Sequence, residues 1–149
     1  MSVIDTVKTI KKIQTTNIVM IIIGKFVYTY GKDAYIMSYI FKYKVKLTNV
    51  NVYVCAFPKN KLNNVMAILE NKKVNYVVLD RKNEYREDEK SDNKNLNNYN
   101  KYLEKAVIYV KRKNQIDTIY ETLIKNIEDN KTEDLIIKIK KVINERREF

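Results

Sequence analysis

The spacing of apolar positions divides the chain into segments of different period. Val3, Val7, Ile10 and Ile13 are separated by polar and lysine-rich stretches, the spacing of one face of a helix. After a break at Asn17, residues 18–23 form a continuous apolar run, mostly β-branched, that predicts a buried strand. Gly24-Lys25 interrupts it, residues 26–30 resume as an aromatic and β-branched strand, and Gly31 closes this bent or hairpin-like pair. Residues 32–43 carry Ala34, Tyr35, Met37, Ser38, Ile40 and Phe41 and predict a helix, and residues 43–47 alternate as a half-exposed strand does. A turn at 49–51 leads to a buried strand over 52–57, ended by Pro58. Leu62, Val65, Met66 and Leu69 mark a helix over 60–72, and residues 74–79 a further buried strand.

Residues 83–98 hold mixed charges, asparagine and serine with almost nothing apolar, and read as an exposed linker. The helical period returns at Tyr99, Leu103, Ala106, Val107 and Val110 and continues through Ile116, Ile119, Tyr120, Leu123, Ile124 and Ile127. Residues 128–131 break it, Thr132 is a candidate N-cap, and Leu135, Ile136, Ile139, Val142 and Ile143 form one more amphipathic helix. The expected organisation is an α/β domain over 1–82 in which helices cover a sheet, a polar linker over 83–98, and an amphipathic helical extension over 99–149.

Charge sharpens this division. The chain carries a net +11, but residues 1–82 hold 14 Lys/Arg against 4 Asp/Glu, a net of +10, and residues 83–149 hold 15 against 14. A compositional bias toward Lys, Asn and Ile would load both halves alike. A one-sided excess is the signature of a domain that binds a polyanion. The absence of histidine excludes Ser-His-Asp and Cys-His catalysis and the usual zinc sites, and two glycines exclude a glycine-rich phosphate loop. No catalytic residue, metal or cofactor is therefore expected. Cys55 lies in an apolar run with no base to activate it and is expected to be an inert buried thiol. A single cysteine permits no internal disulfide, which fits a reducing cytoplasm. No apolar run approaches the roughly 18 residues of a membrane span, and residues 18–23 are too short for a signal segment. No membrane partner is expected.

Two stretches match a known family. Gly24-Lys25-Phe26-Val27-Tyr28-Thr29-Tyr30-Gly31-Lys32-Asp33-Ala34 resembles the glycine–acidic–Phe–Tyr–Glu–aromatic–glycine–acidic–Asp–Ala segment of MutS domain I. Ala56-Phe57-Pro58, followed by a helix and then Val74-Asn75-Tyr76-Val77-Val78, is similar to that family's Gly-Val-Pro turn, helix and strand. The resemblance covers roughly residues 2–82 and implies a mixed sheet covered by helices, acting as a stand-alone DNA-binding module. The chain is too short to hold the lever, clamp and ATPase parts of full MutS proteins as well. In the family the Phe wedges into the base stack at a mismatch and the Glu two residues on bonds the displaced base. The resemblance assigns the wedge to Phe26. Unstacking costs on the order of a few kcal/mol and is recovered as bent DNA meets basic surface. The sequence departs at the next position, where Tyr28 stands in place of the Glu, and Lys25 replaces the acidic residue before the Phe. The loop gains attraction for phosphates and loses the charge that discriminates mismatches.

The candidate DNA-binding residues are Phe26, Tyr28, Lys25, Lys32, Lys59 and Lys61. Phe26 has two readings, an inward-packed strand residue or an outward wedge. Interleaved tyrosines and lysines suit base stacking and backbone contact. The alternative is a protein–protein module that keeps the fold without the DNA role, its C-terminal helices pairing with a partner or with themselves. Asp80-Arg81-Lys82 after a strand resembles the Asp-x-Lys of restriction-endonuclease-type sites, which need a second carboxylate to hold magnesium. Between residues 6 and 79 only Asp33 and Glu70 could supply one.

Overall fold

The computed structural model describes residues 1–91 and 96–146. Helix α1 (Val3–Lys11) starts at Ser2, whose hydroxyl oxygen accepts from the Asp5 amide at 3.1 Å. Strands β1 (Ile18–Ile23) and β2 (Phe26–Tyr30) form a hairpin, followed by α2 (Lys32–Phe41), β3 (Lys46–Leu47) and β4 (Tyr53–Pro58). A 3₁₀ turn over Lys59–Lys61 leads into α3 (Leu62–Asn71), then β5 (Tyr76–Asp80), β6 (Arg86–Lys90), α4 (Tyr99–Lys125) and α5 (Asn130–Glu145). The six strands make one mixed sheet in the order β3-β4-β2-β1-β5-β6, in which β1 and β5 are parallel and all other neighbours antiparallel.

The continuous apolar run of β1 follows from its place inside the sheet, with helices on both faces. On one face Ile18, Met20, Ile22, Val27, Cys55, Phe57 and Val78 pack under α2 and α3, and Tyr99 and Ala106 bring the start of α4 into the same core. On the other face Val19, Ile21, Val77 and Leu79 pack against Val7 of α1. Each such side chain contributes about 1.5–3 kcal/mol by leaving water. The compact unit runs from Met1 to Val110, and Lys111 onward forms a second unit.

A buried carboxylate fastens the first unit. Asp33 is fully buried, and it accepts from Lys11 Nζ at 3.0 Å, the Tyr99 hydroxyl at 2.6 Å and the Val19 amide at 3.0 Å. One side chain of α2 thereby holds α1, β1 and α4. Burial pushes its carboxyl above the ordinary value, while the Lys11 charge and the donated hydrogen bonds pull it back.

Several expectations are corrected. The helix expected over 32–43 stops at Phe41 because Lys42 turns left-handed (φ 61°). Only Lys46–Leu47 of the expected 43–47 strand pairs, since Tyr43 instead lays its ring on Phe57 at 5.7 Å. Within the expected linker over 83–98, residues Arg86–Lys90 pair with β5 as an edge strand. Asn98 then anchors the start of α4, its amide donating to the Lys73 carbonyl and its side chain to that of Lys72, both at 2.8 Å. Residues 92–95 of that expected linker lie outside the described residues. Helix α4 is continuous, and α5 is capped by Asp129, which accepts from the Lys131 amide at 2.9 Å. Thr132, expected as the cap, is buried and donates its hydroxyl to the Asn126 carbonyl. Among the described residues no helix is long and apolar enough to cross a membrane.

Candidate nucleic-acid interface

Ile23 pairs with Phe26, so Gly24-Lys25 is a two-residue hairpin loop. Gly24 sits at φ +62° while Lys25 does not, the pattern of a turn with glycine at its first central position. The Lys25 carbonyl accepts from the Lys59 amide at 2.8 Å, tying the hairpin tip to the turn after β4. Pro58 lies opposite Phe26 in the register. These constraints create an open recess of about 750 Å³ lined by Gly24, Lys25, Phe26, Pro58, Lys59 and Asn60. Phe26 is 46% exposed, so it is not a core residue.

Of the six candidate residues, Lys25, Phe26 and Lys59 meet in this recess. Lys61 is exposed at the end of the adjoining turn. Tyr28 lies one strand repeat beyond Phe26 on the same face, half-buried and opposite Ala56. Lys32 is exposed past Tyr30, at the other end of β2. Pro58 and Asn60 also line the recess, though neither was among the binding residues expected from the sequence, because their place depends on the β2–β4 register. Lys42 is committed elsewhere, with its ammonium 4.6 Å from the Tyr39 ring centre and 4.2 Å from that of Tyr109.

Among the described residues no carboxylate lines the recess, so a polyanion would meet lysine and an apolar ring without like-charge repulsion. A family model described as MutS domain I matches residues 2–100. The chain belongs to the MutS domain I family. No curated protein matches it. MutS domain I is a DNA mismatch-binding domain, and in this member the hairpin β1–β2 and the turn after β4 are the two segments that bear the family motifs. The match reaches past β6 to the start of α4, beyond the expected residues 2–82.

Asp80 accepts from the Lys82 amide and the Asn83 side chain, both at 3.0 Å, and so caps the turn after β5. Among the described residues no three His, Cys, Asp or Glu side chains are grouped to hold a metal ion. Burial pushes the Cys55 thiol up to about 12, partly offset by its hydrogen bond with Thr29, which leaves it un-ionised at neutral pH.

Proposed function

We propose that this protein is a non-catalytic nucleic-acid-binding module that engages DNA through Phe26 and the lysines around it. The observation that carries this reading is a half-exposed Phe26 at the head of the hairpin, held between Lys25 and Lys59 over a recess without acidic lining. Lys25, Lys59 and Lys61 supply phosphate contacts on one side of the ring, and Lys32 a further contact along the strand. Phe26 inserts where stacking is already weak, as at a mismatch or a branch. Tyr28 offers a neutral phenol where family members carry a carboxylate, so preference for mismatches is shallow in this protein.

The test is a salt-titrated binding series with matched, mismatched and branched duplexes. Affinity falls steeply with salt, by a log–log slope of about −0.9 per phosphate contact. Phe26→Ala weakens the distorted duplexes more than the matched one, and Tyr28→Glu widens the gap between mismatched and matched DNA. Equal loss on all duplexes would remove the wedge and leave general binding. No binding at low salt would sink the reading.

A second reading concerns Lys111 onward. There Ile116, Ile119, Tyr120, Ile124, Ile127, Leu135, Val142 and Ile143 each remain 47% or more exposed. A helix pair with so many half-exposed apolar residues favours association with another protein surface.

A further inference from the structure

Phe26 is the first of three aromatics on one strand face. Along β2, Phe26, Tyr28 and Tyr30 alternate with the buried Val27 and Thr29. The register sets Pro58, Ala56 and Val54 of β4 beside them in turn, and Lys46 of β3 beside Val54. On this side of the sheet α1 packs on β1 and β5, and Tyr30 is only partly buried against that cluster. Tyr28, Val54 and Ala56 keep intermediate exposure, and Lys46 and Pro58 are exposed. The Tyr28 and Tyr30 rings are near-parallel, 15° apart, with centres separated by 6.4 Å. That is close to the two-residue repeat of a strand, roughly 6.6 Å.

Lysines stand at both ends of this row. Lys25 and Lys59 flank Phe26. Beyond Tyr30 a second recess, of about 440 Å³, is lined by Lys8 and Lys32 together with Tyr30, Gly31, Val52 and Tyr99, and by Lys11, whose ammonium is already paired with Asp33. Among the described residues neither recess has an acidic lining residue.

We propose that the Phe26–Tyr28–Tyr30 row is a stacking platform for single-stranded nucleic acid, with the terminal lysines holding its phosphates. This inference rests on the nucleic-acid reading above and names the form of strand that the site prefers. Every base has a π-face, so stacking is indifferent to sequence and available to any unpaired strand. A matched duplex keeps its bases inside and offers this row only sugar and phosphate. The strand backbone fixes the spacing of the rings before binding, so little order has to be imposed on the protein. Burial, with the neighbouring Tyr28 and Tyr85, pushes the Tyr30 phenol up to about 12, so Tyr30 presents no negative charge to phosphates at neutral pH. From Lys25 to Lys32 the platform suits a site of about four to six nucleotides, at the small end for stacking folds.

The experiment measures binding of labelled oligothymidylate, oligouridylate and a matched duplex by anisotropy at several salt concentrations. The wild-type chain is compared with Tyr28→Leu, Phe26→Leu/Tyr28→Leu and Tyr28→Phe, all checked for folding by circular dichroism. The single strands bind more tightly than the duplex, the double variant loses about tenfold or more on single strands alone, and Tyr28→Phe retains affinity. The two oligonucleotides distinguish DNA from RNA as the source of the unpaired bases. Duplex binding with no single-strand preference, or leucine variants that lose nothing, would overturn the platform and leave DNA binding standing. Failure to bind any nucleic acid would instead remove the parent reading. A dimer lost in the same leucine variants would assign the face to protein pairing and overturn the platform.

Discussion

Asp33 shows how much one side chain can hold. It is buried without exposure, yet three donors from three other elements converge on it. Asp33→Ala removes the acceptor those donors share, leaving Lys11 only the Asn17 carbonyl, and costs about 3–5 kcal/mol of unfolding free energy, measured by urea denaturation. Lys11→Met costs less at low pH, because a carboxyl already pushed upward can take a proton. The folded value then lies further above the unfolded one, so this variant loses stability as pH rises from the ordinary carboxylate value toward neutrality. An equal penalty at low and neutral pH would contradict that. Cys55 titrates in a different window. Its thiol is raised from 9.0 to about 12, so the stability it contributes is intact below pH 9 and is lost as pH climbs toward 12. Unfolding midpoints taken between pH 8 and 11 decline in the wild type and less in Cys55→Ala. The same burial keeps the native thiol unreactive toward alkylating reagents at pH 8.

Among elements, those with an apolar face were legible in the sequence and those without one were not. The run of β1, the aromatic and β-branched content of β2 and the period of α3 each reflect a buried side, so pattern and place coincide. Strand β6 reads Arg-Glu-Asp-Glu-Lys and is exposed at every position. Its pairing with β5 is a matter of backbone hydrogen bonds at a sheet edge, where charged side chains discourage further strands. Polar sequence there encodes protection and gives no period to detect. Helix α4 kept its period in the sequence, but not its burial: its early turns bury Tyr99, Ala106 and Val110, while later turns are mostly exposed. The Lys113–Asp117 pair at 2.6 Å supports a stretch with little burial. The exposed residues of α4 and α5 predict concentration-dependent self-association in sedimentation velocity. Ile119→Lys combined with Val142→Lys abolishes it, and a chain that stays monomeric throughout would refute it.

For the molecule as a whole, the candidate site was legible in its residues and illegible in its arrangement. Lys25, Phe26 and Lys59 could be named from the family motif and the charge. Their meeting depends on the Lys25–Lys59 backbone bond and on Pro58 lying opposite Phe26, which only the β2–β4 register supplies. The charge asymmetry belongs to this same scale. The basic excess of residues 1–82 resides in the unit that carries the hairpin, so long-range attraction and local contact share one body.

The packing of Tyr99 and Ala106 into the central core also sets a timetable for synthesis. A nascent chain that has released β5 holds five of its six strands, but the core they form still lacks the residues that finish it. The roughly 30 residues from Asp80 to Val110 take a ribosome about 2–6 s at ordinary elongation rates. Through that interval the sheet stands with apolar surface open to the cell, and Asp33 waits for a hydroxyl that has not yet been made. Slow codons read while that stretch is leaving the ribosome would lengthen the exposure, so the yield of native protein is most sensitive to translation speed in that interval.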